Sequence, residues 1–513
     1  MRDGNLAGLL WEAAERRGHL PAFIDRSGVT DYPALAARSA AFAVALVRQR
    51  VAPGDRVATF LERGADAAAA LFGAYAVGAV AVVANERYRP RQIEYALEHS
   101  GAKVLLTTPE MLDRQHRDLA IRCAVVDVSA LPSTDSFTPI RRVGPDFAQI
   151  IYTSGSTGMP KGVAYTHGAL HAGIRAVTGY LGLTHDDRVA SLLSLSSVYG
   201  LNQLLTAVAS CASILVELSP LPHEMATGLA ARGATVLAAV PPLWVQLLGT
   251  KELGALRELR IAQNAGGHLP PEVVRRLRAA LPHTRLYLQY GMTETFRSTY
   301  LPPEHVDRRP DSMGRAVPGA EILVVDEEGR PVGPGVVGEI VHRGPTIASG
   351  YWNDPAATRR TFRPDPLRPA GAPDSERVVF TGDLARSDAD GFLYFVGRRD
   401  RMIKSMGFRV GPDEIVDALH ASGEIVEAVV DAEPDPARGE RIIAYVVMRQ
   451  GGSLARLERY CRAELPAFAH PSAYVAREAL VRLPSGKYDI ESIRRGPSTA
   501  MPADRVAAQA TLD

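Results

Sequence analysis

The residues best suited to chemistry stand in a segment rich in glycine and hydroxyl groups, residues 152–162, which follows an apolar predicted strand at Ala148–Tyr152. Glycines let backbone N–H groups come close to a phosphate, and the hydroxyls add further donors. The segment is not a Walker loop, because Pro160 stands where that motif needs a glycine before the lysine, and Gly162 comes after it. A flexible Ser/Gly turn is the alternative interpretation. The pattern favours a phosphate-binding loop whose candidate ligands are Thr153, Ser154, Gly155, Ser156, Thr157, Gly158 and Lys161.

Four later segments also carry acidic, basic or aromatic groups that suit nucleotide binding. They are Gln289–Thr295 (QYGMTET), Phe380–Asp383 (FTGD), Gly397–Lys404 (GRRDRMIK) with Gly407, and Pro484–Lys487 (PSGK). Together with the first segment, and in this order, they resemble the signature segments of the adenylate-forming superfamily. That superfamily includes acyl-CoA synthetases, luciferases and nonribosomal-peptide adenylation domains. The resemblance spans residues 5–495 and implies the fold and chemistry of that superfamily.

Side chains in these segments match the parts of a bound Mg²⁺·ATP. Tyr290 offers an aromatic face for adenine, and Asp383 can accept both ribose hydroxyl protons. Arg398 presents a planar fork to ribose or phosphate oxygens. Glu294 offers the oxygen ligands that Mg²⁺ prefers, and Lys487 can neutralise charge at the reacting oxygens. Taken singly, such residues are often a core tyrosine, a helix cap or a turn acid, so the assignment depends on the ordered set.

The resemblance also implies roles for other residues of the same segments. It adds Thr293 and Lys404 to the catalytic residues Lys487 and Glu294, and it implies a hinge at Asp400. The resemblance implies two half-reactions, activation of an acid with ATP and transfer of the acyl group to a thiol. Between them the segment near Lys404 would swing inward about Asp400. The further residues implied to contact the nucleotide are Gly267, His268, Gln289, Gly291 and Met292.

The candidate acyl pocket departs from many relatives. The stretch 194–200 carries serines where many fatty-acid and aryl members carry a bulky aromatic or a histidine. No aspartate lies between Asp187 and Glu217 to hold a substrate ammonium, which counts against an α-amino acid. Arg297 either meets a polar or anionic substrate tail or forms a structural ion pair, which is the commoner role. The residues predicted to line the pocket are Ser197, Tyr199, Gly266, Gly291 and Arg297.

Helices and short apolar strands, such as the one predicted at Arg56–Phe60, alternate along the chain, a pattern typical of an α/β fold with largely parallel sheets. After Gly314 short strands between glycine and proline turns predict a β-rich subdomain, and a small α+β unit with a strand at Ala428–Ala432 follows from Asp400. We therefore predict a large N-terminal α/β domain over residues 1–399, a mobile α+β C-terminal domain over 400–495, and a frayed tail over 496–513. The segment 296–310 is similar to stand-alone acyl-CoA ligases of the exosortase-associated type.

Composition excludes several classes of function. The 58 basic residues nearly balance the 57 acidic ones, so no overall positive field attracts nucleic acid. Three widely spaced cysteines form neither a disulfide framework nor a metal motif, which fits the reducing cytoplasm. The most apolar stretch, Ala67–Val83, suits a buried helix and strand better than a membrane span.

These patterns predict a ligase that uses ATP and Mg²⁺ to convert a carboxylic acid into an acyl-AMP and then passes the acyl group to a thiol. Coenzyme A is the favoured acceptor, and the phosphopantetheine arm of an acyl carrier protein is the rival. Amino-acid adenylation is a third possibility. A protein that binds acyl-AMP without turnover belongs to another class, but the presence of all five charged candidates argues against it. These are Lys161, Glu294, Asp383, Arg398 and Lys487.

Overall fold

A computed structural model describes most of the chain. The described residues are 4–18, 20–25, 28–113, 119–131, 136–153, 160–369, 371, 377–406, 408–435, 439–484, 486–496 and 499–502. The predicted loop residues Ser154, Gly155, Ser156, Thr157 and Gly158 lie outside the described residues, as does Gly407.

The strands fall into three sheets. In chain order those of the described residues are β1 Pro21–Asp25, β2 Gly28–Asp31, β3 Arg56–Phe60, β4 Val80–Val83, β5 Ala102–Thr107, β6 Ala124–Asp127, β7 Phe147–Tyr152, β8 Gly162–Thr166, β9 Arg188–Ser191, β10 Ser213–Val216, β11 Val236–Ala239, β12 Ile261–Asn264, β13 Arg285–Tyr290, β14 Thr299–Leu301, β15 Ser312–Ala316, β16 Glu321–Val325, β17 Gly338–Arg343, β18 Gly350–Tyr351, β19 Phe362–Pro364, β20 Arg377–Ser387, β21 Leu393–Arg398, β22 Ile403–Ser405, β23 Phe408–Val410, β24 Ile425–Asp435, β25 Gly439–Met448, β26 Ala473–Ala476 and β27 Thr499–Pro502.

Helices cover the sheet faces. Those of the described residues are α1 Ala7–Arg17, α2 Tyr32–Arg48, α3 Ala65–Ala76, α4 Pro90–Ser100, α5 Pro109–Asp113, α6 His167–Leu181, α7 Val198–Ala209, α8 Pro222–Ala231, α9 Pro241–Leu248, α10 Pro271–Ala280, α11 Pro355–Thr361, α12 Pro412–Ala421, α13 Leu454–Glu464 and α14 Ile490–Arg495, with short 3₁₀ turns at Glu252–Ala255, Pro303–His305 and Ala467–Ala469.

The large N-terminal part is layered. One sheet has the order β18-β8-β7-β4-β3-β5-β6, and a long sheet runs β16-β17-β20-β21-β15-β14-β13-β12-β11-β9-β10-β1-β2, with β19 beside β20. The pairs from β13 through β12, β11, β9 and β10 to β1 are parallel. Strands β14 to β17 and β19 to β21 pair antiparallel. The predicted α/β fold with a β-rich subdomain is confirmed.

Alternating side chains place helices on both faces of these sheets. Val57 belongs to the core shared with α1 to α3, α6 and α7, whereas the next residue, Ala58, packs with α4. Ile261 likewise faces the shared core, and Ala262 packs with α8 to α10. The layers therefore run α4, first sheet, shared helices, long sheet, and α8 to α10.

A six-stranded sheet forms the C-terminal part. Its order is β23-β22-β25-β26-β27, with β24 on β25. Helices α12 and α13 cover one face, and Ile493 of α14 packs on the other. The tail prediction needs one correction: residues 499–502 pair antiparallel with Ala473–Ala476, because the edge of β26 leaves backbone groups for another strand.

Candidate active site

Three side chains from strands β13, β20 and β21 meet at one end of the site. The register of β20 and β21 sets Asp383 opposite Arg398, whose guanidinium lies 3.1 Å from the carboxylate. The hydroxyl of Tyr290, the last residue of β13, donates to the same carboxylate at 2.7 Å. Burial raises the pKa of Asp383, and Arg398 opposes that rise. A buried acid held between a guanidinium and an aromatic ring suits a nucleoside with its diol and base.

A second cluster surrounds Glu294. Its buried carboxylate accepts a hydrogen bond from the Tyr351 hydroxyl at 2.6 Å, and the Lys161 ammonium stands 5.0 Å from the centre of the Tyr351 ring. Pairing of β18 with β8 sets Tyr351 opposite Val163 and so beside Lys161. Burial raises the pKa of Glu294, while Tyr351, Arg398 and Lys161 lower it. The sequence interpretation missed Tyr351, since no local pattern links it to the loop.

The base of the predicted phosphate loop is anchored by its own backbone. Thr153 N–H donates to the Lys161 carbonyl at 2.9 Å, and Lys161 N–H lies 3.3 Å from the Thr153 hydroxyl. These bonds continue the β7–β8 hairpin to the mouth of the loop. Thr153 and Lys161 therefore stand on a fixed scaffold at the two ends of the loop.

The segment after β13 is also fixed from outside. Tyr165 of β8 donates through its hydroxyl to the Thr293 carbonyl at 2.7 Å, and Met292 N–H lies 3.3 Å from the Thr295 hydroxyl. Gln289 faces inward instead: its amide donates to the Tyr180 hydroxyl at 2.8 Å and to Gln263 at 3.2 Å. Gln289 thus joins an interior polar group rather than the cluster around Asp383.

Lys487 reaches the same cleft from the C-terminal part. A Cβ on Gly266 would lie 4.0 Å from Lys487 Cε, and Gly266 has φ +84°, which a side chain would strain. Lys487 as a whole residue is exposed to solvent, while surrounding protein desolvates its ammonium. This burial, with the charges of Arg398 and Arg401, lowers the pKa of Lys487, and Asp383 and Glu294 raise it. The Lys487 ammonium therefore interacts electrostatically with both Asp383 and Glu294.

Some predicted pocket and loop residues have other contacts. The Ser197 hydroxyl accepts from Gly200 N–H at 3.0 Å and donates to the Ser194 carbonyl at 2.9 Å, so it caps α7. Both contacts are local, and the place of Ser197 in the acyl pocket stays a prediction. Gly267 backs onto Pro241, to which an added Cβ would come within 3.3 Å. Gly291 lies against the backbone of Arg297, which a Cβ would approach to 3.1 Å.

Arg297 does not form the structural ion pair that the sequence favours. It is 3% exposed, and no acidic side chain in the described ranges forms a salt bridge with it. Its guanidinium lies 4.7 Å from the centre of the buried Tyr199 ring. Two of its nitrogens, Nε and Nη2, have no hydrogen-bond partner among the residues that the structure describes. Tyr199 and Arg297 are therefore brought together, as the predicted pocket requires.

Three further predicted residues have contacts of their own. Lys404 is exposed on β22, and its backbone N–H donates to Glu440 of β25 at 2.6 Å. His268 points toward the C-terminal part, where its Nε2 lies 2.7 Å from the carboxylate of Asp417 on α12. Asp400 accepts from Arg398 Nε at 3.2 Å. The structure thus gathers Lys161, Glu294, Tyr290, Asp383, Arg398 and Lys487.

The donors present suit Mg²⁺ bound together with a phosphate ligand. Among the described residues no group of three or more His, Cys, Asp or Glu side chains could hold a metal by itself. Mg²⁺ commonly takes one or two carboxylates and completes its shell with phosphates and water. Glu294 provides one such carboxylate.

In the part of the chain that the structure describes, every helix is too short or too polar to cross a bilayer.

Comparison with known proteins agrees with this geometry. Residues 10–352 match the family of AMP-binding enzymes, and residues 414–487 match the AMP-binding enzyme C-terminal domain. Novobiocin biosynthesis protein H of Streptomyces niveus is 32% identical over 502 residues, covering 94% of this chain and 81% of that protein. Sulfoacetate–CoA ligase of Cupriavidus necator is 32% identical over 452 residues, covering 85% of this chain and 86% of the ligase.

Solved structures extend the likeness to the whole fold. ATP-bound MatB from Rhodopseudomonas palustris superposes with a TM-score of 0.86 at 26% identity, covering 96% of this chain and 98% of MatB. A benzoate CoA ligase from Burkholderia xenovorans LB400 gives a TM-score of 0.85 at 26% identity, covering 96% of this chain and all of the ligase.

Proposed function

The chain belongs to the adenylate-forming family of AMP-binding enzymes, and from this membership we propose that it makes acyl-CoA from a carboxylic acid in two half-reactions. In the first, an oxygen of the acid bonds to the α-phosphorus of ATP, the bond to pyrophosphate breaks, and acyl-AMP forms. In the second, the thiol of coenzyme A bonds to the acyl carbonyl carbon, and AMP leaves while the thiol proton passes to solvent.

The observation that carries the proposal is the convergence on one cleft of Lys487 with the two acidic clusters. A cation aimed at developing negative charge stabilises a transition state most where protein excludes part of the solvent. Because the carboxylate is already a nucleophile, the first step needs placement and charge neutralisation more than proton transfer. Lys487 is suited to hold the acid carboxylate against the α-phosphate.

Other residues would hold the nucleotide. Tyr290 and Asp383 suit adenosine, and Arg398 suits ribose or phosphate oxygens. Glu294 would hold Mg²⁺, which supplies positive charge to the phosphates. Lys161, at the end of the predicted phosphate loop, would face the same phosphates. The hydroxyl of Tyr351 would orient the Glu294 carboxylate, because it donates to it at 2.6 Å.

Transfer to a carrier protein is the second candidate. A dimodular nonribosomal peptide synthase of Bacillus subtilis is 30% identical over 475 residues, covering 90% of this chain and 19% of that protein. The similarity to CoA ligases over most of their length favours coenzyme A instead.

A panel of acids tests both half-reactions. Pyrophosphate release should depend on ATP, Mg²⁺ and an acid, and mass spectrometry should find acyl-CoA only when coenzyme A is added. Acyl transfer to a phosphopantetheinylated carrier protein, without acyl-CoA, would favour the second candidate. Absence of pyrophosphate release with every acid would contradict adenylation and leave a binding protein.

A further inference from the structure

The guanidinium of Arg297 is buried, and in the part of the chain that the structure describes no carboxylate pairs with it. It is 3% exposed, and its Nε and Nη2 lack hydrogen-bond partners among those residues. A buried charge without a partner costs several kcal/mol, and a buried arginine normally has a carboxylate or several acceptors. The Tyr199 ring face at 4.7 Å offsets only part of that cost.

Other polar atoms beside Tyr199 are unsatisfied in the same way. Tyr199, Asn202 and Gln203 are spaced by three and four residues on α7, so they share one face of that helix. Within the described ranges, the Tyr199 hydroxyl, both amide atoms of Asn202 and the Gln203 amide nitrogen have no hydrogen-bond partners, although all three residues are buried. Buried polar groups are nearly always hydrogen-bonded, so this face has donors and an acceptor left for a ligand.

This polar face connects directly to the reacting end of the cleft. Gly266 separates Lys487 from Val240, since an added Cβ would lie 4.0 Å from Lys487 Cε and 3.3 Å from Val240 Cγ1. Val240 and Ala265 pack in one cluster with Tyr199, and Tyr199 contacts Arg297. An acid whose reacting carboxylate meets Lys487 can therefore extend along this cluster toward Arg297.

The backbone before Arg297 is held in an unusual conformation. Phe296 has φ +60°, in the left-handed region that bulky side chains rarely adopt. Its buried ring fits against Gly173 of α6, where an added Cβ would come within 2.2 Å of the ring. Strain of this kind persists where surrounding packing enforces it, commonly at ligand sites. The packing of Phe296 thus fixes where the chain turns and from where Arg297 projects.

We propose that the acid activated by this enzyme carries a second anionic group, a carboxylate or a sulfonate, which pairs with Arg297 at the far end of the acyl pocket. The inference rests on the proposed acid activation. A plain hydrocarbon tail would leave the guanidinium and the α7 amides unpaired, and an ammonium-bearing tail would meet a like charge. A planar anion suits a guanidinium, which donates two parallel hydrogen bonds to it.

Matched acids test the pairing. Pyrophosphate release is measured with straight-chain monocarboxylates, with α,ω-dicarboxylates of the same lengths, and with the corresponding ω-sulfonates. The wild type should favour one doubly anionic acid over its monoacid by about 100-fold in kcat/KM, as expected for a desolvated charge-assisted pair. The two anionic series distinguish carboxylate from sulfonate, and the best length reports the span from Lys487 to Arg297.

Substitution of the arginine should remove that preference. Arg297→Met should reduce kcat/KM for the best diacid by about 100-fold while changing the monoacid much less, and Arg297→Lys should keep part of the preference. Arg257→Met, at an exposed position, makes the same change of charge elsewhere and should leave the ratio unchanged. A wild-type preference for monoacids, or an unchanged ratio in Arg297→Met, would overturn the inference.

A binding measurement separates this inference from the proposed function. Thermal stabilisation by AMP reports folding and the nucleotide site, and additional stabilisation by the diacid reports the pocket. Arg297→Met should keep the first shift and lose the second. If no acid releases pyrophosphate, acid activation fails, but loss of diacid binding in the variant would still support the anion site. Equal diacid binding by both proteins, or none by either, would refute it.

Discussion

At the residue scale, Lys487 combines exposure to solvent in the cleft with a lowered pKa, caused by surrounding protein and then by Arg398 and Arg401. We expect Lys487→Ala to slow acyl-AMP formation by about 10²–10³-fold, since it removes a preorganised cation from the reacting oxygens. Transfer from preformed acyl-AMP to coenzyme A should be nearly unchanged, because Lys487 would leave the cleft before the thiol enters it. Rapid-quench measurement of each half-reaction checks this.

Lys404→Ala is the matched control for charge within the same C-terminal part. Lys404 is exposed on β22, and its backbone N–H donates to Glu440 of β25, so its loss should spare acyl-AMP formation. Near wild-type adenylation by Lys487→Ala would contradict the assigned role.

Glu294 owes its raised pKa to burial, and its carboxylate is oriented by the Tyr351 hydroxyl. Glu294→Gln should raise the Mg²⁺ concentration needed for half-maximal adenylation and slow the reaction, because a neutral amide is a weaker ligand for a hard cation. Tyr351→Phe keeps the carboxylate and removes one hydrogen bond, worth about 1 kcal/mol, so its effect should be smaller. Magnesium titrations of the initial rate compare them, and an unchanged magnesium dependence in Glu294→Gln would exclude it as the ligand.

At the scale of elements, the local sequence pattern predicts where most strands lie but not which strands pair with each other. The strand Arg56–Phe60 is predicted to the residue, since a short, mostly apolar run between flanking turns defines it. Strand β24 runs over Ile425–Asp435, beyond the predicted Ala428–Ala432, because its hairpin partner β25 supplies hydrogen bonds along that whole length. Long-range pairing extends a strand where intrinsic preference alone would end it.

The candidate site shows the same division. Tyr290, Asp383 and Arg398 stand in recognisable segments, and the structure brings them together. Tyr351 enters only through the pairing of β18 with β8, which no local spacing reveals. Ser197 has a hydroxyl of the expected kind, yet whether it caps a helix or faces a ligand depends on backbone geometry.

Helix α6 offers a test of how an element positions the pocket. An added Cβ at Gly173 would lie 2.2 Å from the Phe296 ring, whereas one at Gly179 on the same helix would meet nothing within 4 Å. Gly173→Ala should therefore lower the free energy of unfolding by about 1–3 kcal/mol and weaken acid binding by displacing Phe296. Gly179→Ala should raise the free energy of unfolding by about 0.5–1 kcal/mol. Urea denaturation and acid titration measure both, and equal behaviour of the two variants would refute the packing role.

At the scale of the whole molecule, His268 and Asp417 join the N-terminal and C-terminal parts. Burial alone would lower the pKa of His268, but Asp417, with Asp413 and Asp311, raises it to about 9 from an ordinary value of 6.5. A raised histidine pKa stabilises the docked arrangement fully below pH 6.5. That contribution then falls by about 1.4 kcal/mol per pH unit and is lost once the pH exceeds about 9.

Docking of the C-terminal part should therefore weaken as the pH rises from 6.5 to 9. Fluorophores placed on the two parts would report this as a falling transfer efficiency. Asp417→Asn removes the charge that retains the proton on His268, so the variant should show weaker docking at neutral pH and a flatter pH dependence. The same pH profile in both proteins would show that this contact does not control docking.

The last prediction concerns motion between the two parts about Asp400. Lys487 occupies the cleft that a thiol must later enter, so one fixed arrangement cannot serve both proposed half-reactions. Asp400 lies in a turn closed by the bond from Arg401 N–H to the Arg398 carbonyl at 3.0 Å, immediately before β22 begins the C-terminal sheet. A turn of this kind can absorb a large change in φ and ψ.

Asp400→Pro would fix φ at about −65° and remove a backbone donor. It would also restrict the backbone conformation of Arg399. It should trap one arrangement, so that one half-reaction proceeds while the other falls by orders of magnitude. Asp400→Ala loses the carboxylate that accepts from Arg398 but keeps the backbone free, so it should change both half-reactions modestly. Acyl-AMP formation and transfer of preformed acyl-AMP to coenzyme A are measured separately on each variant. Equal modest losses in both half-reactions of Asp400→Pro would show that Asp400 is an exposed linker residue and that the two parts do not move about it.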